Sequence, residues 1–110
     1  MPSTLLRLVI SALAVLVFGE QVVLAQSAIS QGELLVSQHC AMCHAIGCSE
    51  TSPNAIARPF RTLGRSYPIE SLEEPLRNGA LFGHPMMPGF VFSHQETNAI
   101  VRYLQSIQDQ

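Results

Sequence analysis

Apolar residues are arranged in three different ways along the chain. From Leu8 to Phe18 they form a nearly unbroken block in which Ser11 is the one interruption, with neither the 3.6-residue period of a half-buried helix nor the alternation of a strand. Further on, Ile29, Leu34, Leu35 and Val36 give Ser30–His39 an apolar side, which predicts a short helix with Gly32 inside it. A glycine there costs about 1 kcal/mol against alanine, so its presence points to a backbone or ring packed closely on it. Near the C-terminus, Ile100, Val101, Leu104 and Ile107 recur at spacings of three and four. Ser93-His94-Gln95-Glu96 opens that pattern as a capping box, with Ser93 as N-cap and Glu96 reaching back. The helix predicted from it runs to about Ile107, and Tyr103 on it is placed to lie on Gly32.

Between these helices the segment from Gly47 to about Tyr67 is rich in Pro and Gly and has little period. A shorter helix is expected over Ile69–Arg77, where Ser71 and Glu74 make a weaker capping box, Pro75 fits only the first turn and Asn78-Gly79 is a stop. Neither strand pairs nor an internal repeat is legible. The expectation is an all-α fold of three to four helices joined by long loops.

Composition changes how the first block is read. The 110-residue chain is 47% hydrophobic and 13% charged, yet Met1–Ala25 holds a third of its apolar residues and only Arg7 and Glu20 as charges. A short positive n-region ending at Arg7, an apolar h-region and Val23-Leu24-Ala25 at the cleavage positions are the parts of an export signal. Cleavage after Ala25 is expected, so that 1–25 is a signal peptide and 26–110 a single domain working in the periplasm. A spanning helix needs roughly 20 apolar residues, and Gly19, Glu20 and Gln21 interrupt the run; no stable membrane anchor is expected.

The chain carries six arginines, no lysine and a formal charge of −2. Phosphate neutralisation needs clustered cations, so no nucleic-acid partner is expected. The three cysteines are an odd number for a disulfide framework in an exported chain. Cys40-Ala41-Met42-Cys43-His44 is instead the C-x-x-C-H pattern of covalent haem attachment. Two thiols three residues apart can add to the two vinyl groups on one haem edge, and the imidazole that follows meets the iron. A thioredoxin-like redox pair would require a βαβ context, and a zinc site two further well-spaced ligands. His39 and Cys48 lie too close to the pair to supply them, and a Cys40–Cys43 disulfide would close a strained loop of little entropic value.

Haem iron held in this way takes a sixth ligand. Gly83-His84-Pro85-Met86-Met87-Pro88-Gly89-Phe90 offers two thioethers on backbone stiffened by Pro85 and Pro88. His84 and His94 are the nitrogen alternatives, His94 disfavoured as the first residue of a capped helix. A thioether raises the reduction potential, whereas a second imidazole lowers it.

Gly32, Cys40-Ala41-Met42-Cys43-His44, Met87-Pro88-Gly89-Phe90 and Tyr103-Leu104, in this order and spacing, resemble the small bacterial class I cytochromes c, over about Gln31–Ile107. The resemblance implies one haem c per chain, thioether bonds at Cys40 and Cys43, His44 as proximal ligand, Met87 as distal ligand and Tyr103 packed near Gly32. It also implies a proline carbonyl that accepts the His44 N–H, for which Pro59 and Pro53 compete. The expected crevice is lined by Phe60, Leu63, Phe82 and Phe90. The expected activity is one-electron transfer by Fe(III)/Fe(II) cycling, without substrate chemistry, in a monomer. Its partners would be redox proteins: a dehydrogenase, a cytochrome complex or a terminal oxidase or reductase. Alternatives are a haem subunit dedicated to one periplasmic dehydrogenase, or a sensor or peroxidase with an open distal site.

Two features depart from the better-known mitochondrial members. The lysine ring of their docking face is missing, so Arg58, Arg61 and Arg65 are left to line the haem mouth, hold propionates or face solvent. Cys48 lies outside the attachment motif, as either a buried thiol or an exposed one.

Overall fold

The structure, a computed structural model, describes residues 4–79 and 86–109, apart from the side chains of residues 12 and 15–18. It is helical, and among the described residues there is no strand. Helix α1 spans Thr4–His39, α2 spans Glu73–Asn78 and α3 spans His94–Ser106. Two 3-10 turns, Phe60–Arg65 and Ile69–Leu72, stand between α1 and α2.

Helix α1 begins far upstream of Ser30, where the apolar period alone would start it. No proline lies between Thr4 and His39 to stop it, and Ser30 does not act as a cap. Its hydroxyl donates to the Gln26 carbonyl one turn back at 3.1 Å, as Ser11 does to Arg7 at 2.9 Å, the arrangement that lets a serine sit inside a helix. Large apolar residues upstream of Ser30, among them Leu5, Leu8, Ile10 and Leu24, are exposed. Only the last turns of α1 reach the core, through Val36 and Gly32. Among the described residues no helix is long and apolar enough to cross a membrane.

The core forms where α1 crosses α3. A Cβ added to Gly32 would collide with the Ala99 carbonyl and lie 2.8 Å from Tyr103 Cβ, so only glycine allows the two backbones to approach this closely. Tyr103 passes beside that contact, and its hydroxyl donates to the Ile46 carbonyl at 2.8 Å. Ile100, Val101, Leu104 and Ile107 are all buried, together with Val36, Phe60, Leu63, Ile69, Leu72 and Phe92.

Helix α3 starts as its sequence requires: Ser93 Oγ accepts the Glu96 amide at 3.2 Å and Glu96 Oε2 accepts the Ser93 amide at 2.8 Å. The capping box expected at Ser71 does not form. The 3-10 turn Ile69–Leu72 runs straight into α2, Leu72 occupies the cap position without a side-chain bond, and the Ser71 hydroxyl donates to Pro68 instead at 2.6 Å. Pro75 falls within the first turn of α2, and Gly79 ends the helix in the left-handed region at φ 69°, where glycine pays no Cβ penalty.

After α3 the chain folds back on the first 3-10 turn. The Gln108 amide group donates to the Phe60 carbonyl at 2.9 Å and its oxygen accepts the Gly64 amide at 2.7 Å. The Asp109 amide donates to the Arg61 carbonyl at 2.8 Å, and its carboxylate pairs with Arg65 at 2.9 Å. These bonds hold Phe60 and Leu63 against the core.

Candidate functional site

Helix α1 delivers Cys40-Ala41-Met42-Cys43-His44 as it ends. The Cys40 amide still bonds to Val36 at 2.9 Å, and the His44 amide bonds to Cys40 at 2.9 Å. The motif is therefore wound into one tight turn, with Cys40, Cys43 and His44 all half-buried. Burial pushes the Cys40 thiol up to about 11, because an apolar wall disfavours the thiolate.

His44 is fixed on one face and one edge of its ring. It stacks on Phe60 at a centroid distance of 4.6 Å, and Nδ1 lies 2.8 Å from the Arg58 carbonyl. Donation from Nδ1 to a carbonyl leaves Nε2 unprotonated and able to ligate a metal. The carbonyl partner is a correction: it belongs to Arg58, and neither Pro59 nor Pro53 supplies it. The Pro59 carbonyl is occupied by the Thr62 amide at 3.1 Å and the Thr62 hydroxyl at 2.8 Å, as the first acceptor of the 3-10 turn. Pro53 lies exposed. Pro59 acts indirectly, since the residue before a proline is confined to extended backbone.

Two apolar cavities meet at this motif. The larger, about 480 Å³, is walled by Phe60, Leu63, Leu72, Phe92, Ile100 and Leu104. The smaller, about 310 Å³, is bordered by Met42, Cys43, Asn54, Ile56, Ala57 and Met86. Cys40, His44, Met87 and Phe90 line both. Met87 is half-buried, whereas Met86 is 78% exposed. His94 is exposed at the first position of α3. Phe82, His84 and Pro85 lie outside the described residues.

Sequence reasoning missed several parts of this wall. His39 packs edge-on against Phe90 at 5.4 Å and Phe92 at 5.3 Å, closing the space beside Cys40. The alternation of Phe90 and Phe92 on the extended approach to α3 was a usable signal, but nothing in the sequence marked the Arg58 carbonyl. Tyr67 also reaches the larger cavity, and burial raises its hydroxyl above the ordinary range against a smaller opposing pull from Arg58.

The three arginines are tied down. Arg58 donates to Ser66 Oγ at 2.9 Å, Arg61 to the Glu50 carbonyl at 2.7 Å, and Arg65 to Asp109 at 2.9 Å. Glu50 is itself held below the usual carboxylate range by its own amide and that of Gly47. Cys48 is exposed.

Two thiols, one oriented imidazole and a thioether thus converge on apolar space of the size ligand sites have, roughly 300–1,000 Å³. That donor set, soft sulfur and imidazole nitrogen bordering the same apolar space, suits haem iron, and the residues present fit a covalently held haem. Neither the curated proteins nor the solved structures contain a match to the chain. The family model for cytochrome c matches residues 29–108, beginning inside α1 and ending on the Gln108 that pins the crevice wall. With the attachment motif, the crevice and the helix crossing all inside that span, the chain belongs to the cytochrome c family.

Proposed function

We propose that the protein is an exported one-electron carrier in which Cys40 and Cys43 hold one haem c by thioether bonds, His44 is the proximal ligand and Met87 the distal one. The observation that carries this reading is that His44 and Met87 border the same two cavities while Met86 points to solvent. A bound haem c would supply an Fe(III)/Fe(II) couple. The chain's own residues do the rest. The Arg58 carbonyl and the Phe60 ring hold the His44 imidazole in one tautomer and one orientation. Phe60, Leu63 and Phe90 exclude water, so that little solvent must reorganise when charge changes.

Export is supported by the n-region, apolar block and small residues of Met1–Ala25 and by the family match opening only at residue 29. The optical spectrum of the holoprotein tests the ligand set. The expected result is a weak ferric band at the red end that is lost in Met87→Ala and kept in Met86→Ala. Carbon monoxide binding to the native reduced protein, or unchanged ligation in Met87→Ala, would overturn the distal assignment. Loss of covalent haem in Cys40→Ala and Cys43→Ala checks the attachment, and the mass of the exported protein checks cleavage after Ala25.

A further inference from the structure

We propose that the chain meets its electron-transfer partner through an uncharged apolar collar around the smaller cavity, and that this partner is a redox protein presenting an apolar, weakly charged face. The inference rests on the electron-carrier reading and adds the kind of partner to it. Three large apolar side chains stand in water at the cavity's border: Met42 at 87%, Ile56 at 76% and Met86 at 78% exposure. Exposed apolar patches of this kind mark interaction sites, and two unbranched thioethers let such a patch adapt to more than one surface.

The lack of charge around them is systematic. The described segments that supply most of the border are residues 40–49, 51–57 and 86–93, and none contains an Asp, Glu, Lys or Arg. The nearby arginines do not line the smaller cavity and are held by other parts of the chain: Arg58 by Ser66, Arg61 by the Glu50 carbonyl and Arg65 by Asp109. Glu50 folds its carboxylate onto the Gly47 amide. A partner with a strongly acidic or basic face would lose hydration here and gain no counter-charge, whereas an apolar one loses only ordered water. Association without electrostatic steering runs at roughly 10⁵–10⁶ M⁻¹s⁻¹ and responds little to salt.

Two measurements on the holoprotein test this. The first follows oxidation of the reduced protein by ferricyanide, an anion, and by tris(1,10-phenanthroline)cobalt(III), a cation, as ionic strength rises. A collar without charge gives both oxidants rates that change by less than about threefold between low and high salt; steep and opposite salt slopes for the two would overturn the proposal, whether or not any variant folds. The second is electron self-exchange between ferrous and ferric copies, read from NMR line widths. Ile56→Lys is expected to slow it at least tenfold at low salt with partial recovery at high salt, and Ile56→Leu to leave it unchanged, the haem spectrum being the same in all three. Exchange in Ile56→Lys at the wild-type rate would also overturn it. Failure of the underlying carrier reading has a different signature: carbon monoxide binds the native reduced protein, or neither oxidant reacts.

Discussion

His44 and Arg58 are joined by a bond from the imidazole Nδ1 to a backbone carbonyl at 2.8 Å, so the ring at the centre of the site is oriented by a main-chain atom that Pro59 positions. Replacing Pro59 by Ala frees the preceding residue from its extended conformation and loosens that acceptor. A weaker bond makes the imidazole a poorer donor to ferric iron, so the reduction potential of the holoprotein is expected to rise. Redox titration checks this; an unchanged potential would show that the 3-10 turn holds the carbonyl without the proline's help.

Gly32 is the second sensitive point. In Gly32→Ala the new methyl meets the Ala99 carbonyl, which is backbone and cannot rotate away. Overpacking of this kind costs about 1–3 kcal/mol, more than the ~1 kcal/mol that alanine returns as helix propensity. A net loss of stability is expected in urea unfolding, accompanied by weaker protection of the Tyr103 hydroxyl contact.

How α3 starts predicts a pH response. The Glu96 carboxylate is held below its ordinary range first by the Ser93 amide and then by the Ser93 hydroxyl, with a small favourable contribution from His39. A carboxylate whose folded value is depressed stabilises the protein above its unfolded value, near pH 4.5, and loses that contribution as pH falls through the folded value. Glu96→Gln is therefore expected to flatten the acid side of the stability profile below that pH and to leave its slope above pH 6 unchanged. Ser93→Ala removes the cap itself, at a cost of about 1 kcal/mol at neutral pH. Thermal unfolding across pH 3–7 reads both.

Thr97 presents the opposite case. It is 1% exposed, and among the described residues its hydroxyl has no hydrogen-bond partner. Leaving a buried hydroxyl unpaired costs about 1–3 kcal/mol. Thr97→Val keeps the shape and removes the penalty, so its midpoint of unfolding is expected to rise; a fall of more than about 1 kcal/mol would mean that the hydroxyl is used.

What the sequence revealed follows from which interactions are written in side chains. The capping box at Ser93, the stripe Ile100, Val101, Leu104 and Ile107, the tight glycine at position 32 and the motif from Cys40 to His44 all rest on residue types at fixed spacings, and all are where spacing put them. The start of α1 was not legible, because the apolar side marks only the part of the helix that packs, and Ser30 is an interior residue whose hydroxyl turns to Gln26. The cap expected at Ser71 failed because its hydroxyl turns to Pro68. The acceptor for His44 was misplaced by one residue, since a carbonyl belongs to every residue and only the turn at Pro59 decides which one is free. Cys48 could be read either way, and the structure exposes it.

The crossing of α1 and α3 has a consequence for cohesion. Gly32 and Ala99 close the chain into a ring, and the residues that border the crevice, from Gln38 on the α1 side to Phe92 ahead of α3, lie within that ring, with Ile100 and Leu104 just beyond it on α3. Closing a loop of this length costs about 4 kcal/mol of chain entropy, and what offsets it is the α1–α3 clasp, in which the contact of Gly32 with Ala99 is joined by buried Val36 and by the bond from Tyr103 to Ile46. Local loosening of one crevice wall is therefore not an independent event: once the clasp parts, the imidazole, its carbonyl partner and the methionine segment are released together, so the site and the fold unfold in one step.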